Sequence, residues 1–155
     1  MRAVAMEDAD VLLAWRNDPV TRAASLSTAA VDMPAHLDWL SRTISFPDRL
    51  LYLGERDGVA VGTVRFDLDG DDPDAAEVSI TVAPSHRGRK LSLPLLRAGL
   101  AAFADDARGR SVIHAVIRVE NSASRALFDA AGFREVSRED GVLSLVQDLS
   151  RERPS

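Results

Sequence analysis

The stretch Ala76–Leu95, AEVSITVAPSHRGRKLSLPL, decides the reading of this chain. A strand over Glu77–Val82 runs into a helix beginning at Leu91 through a short turn that contains glycine and is strongly basic. The first turn of a helix leaves backbone N–H groups unpaired and carries a partial positive charge, and Arg87, Arg89 and Lys90 add full charges at the same place. Such a turn suits phosphate, so a diphosphate-bearing cofactor is the first expectation.

The flanking sequence supplies a mixed set of elements. Downstream, Leu91–Ala107 reads as a long apolar helix, with Pro94 tolerable in its first turn. A strand over Ser111–Arg118, a helix over Ala123–Ala130, and strands over Phe133–Arg138 and Leu143–Gln147 around Asp140-Gly141 complete that half. Upstream, Leu50–Arg56 and Val59–Leu68 form a hairpin across Asp57-Gly58. Before it lies a helix over Asp8–Trp15 that ends at Asn17, Asp18 and Pro19, and a second helical region is expected at Thr21–Leu26. A further helix is capped by Asp32, with Leu37, Leu40 and Ile44 on one face, and stops at Pro47. A brief edge strand is expected at Met1–Val4.

Composition narrows the class. A chain of 155 residues that is 46% hydrophobic can bury one sizeable core, so a single domain over residues 1–150 with a disordered tail at 151–155 is expected. No apolar run approaches the roughly 18 residues of a membrane span, and no secretion signal opens the chain, which points to a cytoplasmic protein without a membrane partner. Cysteine is absent, which removes disulfides and thiolate metal sites. The net charge of −5 argues against general nucleic-acid binding, and the basic cluster at 86–90 lacks interleaved aromatics. The acidic loop DLDGDDPDA does not have calcium-loop spacing, and three scattered histidines give no zinc pattern, so no metal is expected.

Two motifs carry a resemblance. Val82, Pro84, Arg87, Gly88, Arg89, Lys90, Leu91 and Ser92 resemble the core motif of the GNAT superfamily of N-acetyltransferases, in which V-x-P leads into Arg/Gln-x-x-Gly-x-Gly/Ala and a long helix. Lys90 stands where that family usually has glycine, and Ser92 where it has glycine or alanine. Val116–Val136, with Asn121, Ser124, Leu127, Phe128, Gly132 and Phe133, resembles its closing motif, and the two occur in the family's order. The resemblance implies an α/β fold with a mixed, mostly antiparallel central sheet flanked by helices, whose two central strands splay apart. It implies acetyl-CoA as donor, with pantetheine along the backbone of Ile80, Thr81 and Val82 and pyrophosphate on residues 87–92. Asn121, Ser124 and Phe128 belong to the same cofactor-binding set.

Acetyl transfer to an amine needs a route for the amine proton. Glu77 occupies the strand position where many members place a glutamate base, and it is the only acidic residue between Ala75 and the phosphate turn. It also reads as an exposed strand carboxylate or an arginine's partner. The family's tyrosine acid is missing, because Phe128 takes its place and Tyr52 lies on an early strand. A thiolate with a pKa of about 8.5 can leave with a proton from water, or with none. Ser124 is a weak alternative donor that reads more readily as a small residue packing helix against sheet.

WRNDPVTRAAS followed by HLDWL resembles a subgroup that acetylates ribosomal-protein N-termini or nucleotide-linked 4-amino-sugars of nonulosonic-acid biosynthesis. The sugar branch is favoured. Arg16, Asn17, Arg22, His36 and His114 form the expected substrate-binding set, although Asn17 also fits helix termination, and His36 and His114 also fit packing. The partner is then a small-molecule amine, a nucleotide sugar being favoured, and the sequence leaves open whether the chain is a monomer or a homodimer. A protein N-terminal acetyltransferase, a non-catalytic acyl-CoA-binding module and an interaction domain are the alternatives.

Overall fold

The structure, a computed structural model, describes residues 1–18, 31–46, 48–86, 90–105 and 111–149. Its strands β1 (Arg2–Ala3), β2 (Arg49–Arg56), β3 (Val59–Leu68), β4 (Ala75–Val82), β5 (Val112–Arg118), β6 (Arg134–Glu139) and β7 (Val142–Asp148) form one sheet in the order β1-β2-β3-β4-β5-β7-β6. All neighbours are antiparallel except β4 and β5. The helices are α1 (Ala9–Arg16), α2 (Met33–Ser45), α3 (Ser92–Asp105) and α4 (Ser122–Ala130). The expected helical region at Thr21–Leu26 and the tail at 151–155 lie outside the described residues.

Local chemistry accounts for most of these elements. Asp57 and Gly58 both have positive φ (53° and 78°), as do Asp140 and Gly141 (52° and 77°), the geometry of a two-residue hairpin whose twist matches its strands. Asp32 caps α2 by accepting from the Ala35 amide at 2.9 Å, and Pro34 sits in the first helical turn. Asp8 holds the N-terminal segment. Its carboxylate receives both terminal nitrogens of Arg2 (2.9 and 2.8 Å) and the Ala5 amide (2.8 Å), which holds it below the usual carboxylate range.

The sheet has two faces. Strand alternation sends Val64, Phe66, Val78, Ile113, Leu143 and Leu145 to the back, where α3 and α4 cover them with Leu96, Phe103 and Phe128. Phe66 and Phe103 stack with ring centroids 4.1 Å apart. On the front, α1 and α2 cover the β2 side with Leu12, Trp15 and Leu40 against Leu53. Here α2 departs from the expected phase. Leu37 and Ile44 are exposed, whereas His36, Leu40 and Thr43 face inward. The polar His36 can be buried because both ring nitrogens find partners, so apolar spacing alone misplaced the buried face.

The central strands part early. β4 and β5 pair only from Ala75↔Val112 to Glu77↔His114, although β4 continues to Val82 and β5 to Arg118. Beyond Glu77, β4 keeps its β3 partner through Gly62↔Val82 but has no strand partner on the β5 side among the described residues. Gly62 belongs to this arrangement, because a Cβ there would strike the Thr81 carbonyl oxygen and Leu95 of α3.

Candidate active site

The open edge of β4 is the centre of the site. Its backbone N–H and C=O groups on the β5 side must find another partner, and an extended amide-bearing chain would pair with them as a strand does. Ile80, Thr81 and Val82, where the sequence reading places the donor arm, lie on this edge. The β4 strand then passes through a short 3-10 turn at Pro84–His86 towards α3, whose first intrahelical bond is Leu95 N to Leu91 O at 3.0 Å. Pro94 lacks an N–H, so it removes only a donor that the first helical turn would leave unpaired.

Lys90 precedes this helix with φ +59°. The left-handed region costs a non-glycine residue about 1–2 kcal/mol, and such strain concentrates at functional sites. Lys90 therefore adopts the backbone geometry expected of a glycine while adding an ammonium group beside Leu91 and Ser92. Arg87, Gly88 and Arg89 lie outside the described residues.

Glu77 is exposed on the front face, between its register partners Asp67 on β3 and His114 on β5. Asp67 is already engaged. It receives Arg49 Nε at 2.6 Å and stands 3.2 Å from Arg65 Nε. Glu77 makes no ion pair or hydrogen bond with the described residues, so its carboxylate can accept a proton at the point where the strands separate.

Two residues further along β4 and on the same face, Ser79 opens a pocket of about 320 Å³. Thr81, Thr63, Arg65 and Leu51 form its floor, while Leu12, Trp15 and Arg16 of α1 and Trp39 of α2 form its wall. None of these residues is acidic. A wider hollow of about 560 Å³ lies between α4 and the β6–β7 hairpin, on the back of the sheet and remote from Glu77.

The other expected residues divide clearly. Arg16 reaches the pocket, whereas His36 is fully buried behind it and has no surface with which to touch an acceptor. Asn17 also has its side chain committed. Nδ2 donates to the Val31 carbonyl at 2.8 Å and Oδ1 accepts from the Val31 amide at 2.7 Å. His114 is half-buried beside Glu77. Asn121 caps α4 by accepting from Ser124 N at 3.1 Å, and Ser124 is half-buried. Phe128 packs edge-on against Phe133 at 5.0 Å in the back core, and Tyr52 faces that same core against Phe66. Arg22 lies outside the described residues. No group of three or more histidine or acidic side chains among the described residues is placed to hold a metal.

Sequence reading missed Thr63, Arg65, Ser79 and Trp39. The usable signal was period-two alternation: Thr63 and Arg65 share a face on one strand, as Ser79 and Thr81 do on the next. Their convergence depends on the register Thr63↔Thr81 and Arg65↔Ser79.

Comparison with known proteins agrees with this fold. The family model for the acetyltransferase (GNAT) domain matches residues 1–134. Ribosomal-protein-alanine N-acetyltransferase from Brucella melitensis is 27% identical, with a TM-score of 0.77 over 96% of this chain and 98% of its own. Spermidine N-acetyltransferase from Vibrio cholerae, in complex with CoA and spermine, is 17% identical with a TM-score of 0.82 over 96% and 94%. The Campylobacter jejuni N-acetyltransferase PseH, in complex with acetyl coenzyme A, is 14% identical with a TM-score of 0.72 over 94% and 92%.

Proposed function

The chain belongs to the acetyltransferase (GNAT) domain family, and from that premise we propose that it moves the acetyl group of acetyl-CoA to the primary amine of a small anionic acceptor, a nucleotide-linked 4-amino-sugar being favoured. The observation that carries this reading is the parting of β4 and β5 just beyond Glu77, next to a pocket on the same face. The donor supplies an activated thioester. Ile80–Val82 would hold its arm by backbone pairing, and residues 87–92 its pyrophosphate.

The acceptor would enter from the pocket, with Glu77 taking the amine proton as nitrogen attacks the carbonyl carbon. The thiolate would leave without a tyrosine acid, taking its proton from water or leaving with none: Phe128 has no proton to give, and Tyr52 lies on the opposite face. Two arginines, two indoles and three hydroxyls, with no carboxylate, suit a phosphorylated sugar better than a polyamine. A protein N-terminus is the second reading, supported by the 27% identity to the ribosomal-protein-alanine enzyme.

Acetyl-CoA turnover against a UDP-linked 4-amino-sugar, the same sugar without nucleotide, an alanine-starting peptide and spermidine tests the proposal. The UDP-linked sugar should give the highest kcat/KM. Preference for the peptide would select the second reading, and CoA binding without turnover of any amine would leave a non-catalytic acyl-CoA module.

A further inference from the structure

Arg16 is held in an unusual way. His36 lies at 0% exposure with Nε2 at 2.9 Å from the Ala9 carbonyl and Nδ1 at 2.9 Å from Arg16 Nη1. A carbonyl can only accept and a guanidinium can only donate, so the imidazole must be neutral, with its proton on Nε2 and its Nδ1 lone pair directed at Arg16. Trp39 closes the other side. Its ring lies 4.5 Å from Arg16 Cζ and stacks on His36 at 5.7 Å with a 24° interplanar angle.

Every group that fixes Arg16 is therefore neutral. Among the described residues no carboxylate forms an ion pair or hydrogen bond with Arg16. Burial depresses its pKa with no neighbouring anion to oppose the effect, yet a guanidinium stays charged. Arg65 lines the same pocket, and its ion-pair partner among the described residues, Asp67, is shared with Arg49. A partly desolvated cation lacking a counter-charge, facing a cavity, is costly in the empty protein, and an anionic ligand removes that cost.

We infer that Arg16 selects acceptors bearing an anionic group and rejects polycationic amines, and that His36 is the positioning residue that presents the guanidinium to the pocket. The inference rests on the acceptor pocket assigned above and names the chemistry that pocket reads.

Calorimetry with uridine diphosphate tests it, because this probe carries the anion without an amine. Saturating CoA is included to fill the phosphate turn. Arg16→Gln should weaken UDP binding about tenfold or more. His36→Phe should reproduce much of that loss. His36→Gln, whose amide can donate to Ala9 and accept from Arg16, should return binding to within about threefold of the parent. Spermidine should not compete.

No UDP binding to the parent protein, or equal binding by Arg16→Gln, would overturn the selection role. A folded His36→Gln as weak as a folded His36→Phe would overturn the positioning role. Arg16-dependent UDP binding supports the inference even if no amine in the panel is acetylated, an outcome that would count against the transferase reading alone.

Discussion

Glu77 and His114 form the last registered pair between β4 and β5, and both side chains stand on the front of the sheet. One residue further on, β4 has lost its β5 neighbour. The carboxylate thus sits at the fork of the two strands, between the edge proposed for the donor and the pocket proposed for the acceptor.

If that carboxylate takes the amine proton, Glu77→Gln should lower kcat/KM for the amine by about 100-fold below the amine's pKa. The deficit should shrink as pH rises and neutral amine becomes abundant, with CoA affinity nearly unchanged. A variant matching the parent from about pH 6 to 9 would remove Glu77 from the mechanism.

Tyr52→Phe should leave kcat within about twofold of the parent, since Tyr52 faces the back core and the reaction is assigned to the front. A loss of about 100-fold in a folded variant would reinstate a tyrosine acid.

Lys90→Gly should separate stability from binding. Releasing the left-handed φ favours folding by up to about 1–2 kcal/mol, partly offset by the greater freedom of glycine when unfolded. We expect a melting temperature raised by about 2–4 °C. If the ammonium meets the CoA phosphates as proposed, its loss should weaken CoA, less so at high salt, where that attraction is screened. Unchanged CoA affinity would reduce Lys90 to a strained turn residue.

His36 gives stability a pH dependence of definite sign. Burial and the Arg16 charge lower its pKa from the ordinary 6.5, opposed only in part by its bond to Ala9. The unfolded chain therefore binds more protons than the folded one as pH falls through about 6.5, so folding free energy is lost from there down to the depressed folded value and no further. Urea midpoints measured from pH 8 to 5 should fall more for the parent than for His36→Gln, which has no imidazole to titrate. Equal slopes would show that His36 is protonated without cost.

Most of the architecture was legible because local chemistry and fold agree. Asp57-Gly58 and Asp140-Gly141 could adopt paired positive φ, and Asp32 with Pro34 marked the start of α2. The departure of Lys90 from glycine was visible too, and the backbone there kept its left-handed φ. What stayed hidden depends on register and on satisfied polar burial. Arg65 becomes a pocket residue only when β3 and β4 are aligned, and His36 becomes internal only because Ala9 and Arg16 meet its two nitrogens. Asn17 was expected at the acceptor, yet its amide is spent on Val31.

That amide has a mechanical corollary. Because Asn17 at the end of α1 grips both the N–H and C=O of Val31 just before α2, the two helices are strapped together by side-chain bonds independent of their apolar contact. The strap fixes the register in which Arg16 of α1 meets Trp39 of α2, so the pocket wall moves as one piece and keeps its shape when either helix is jostled.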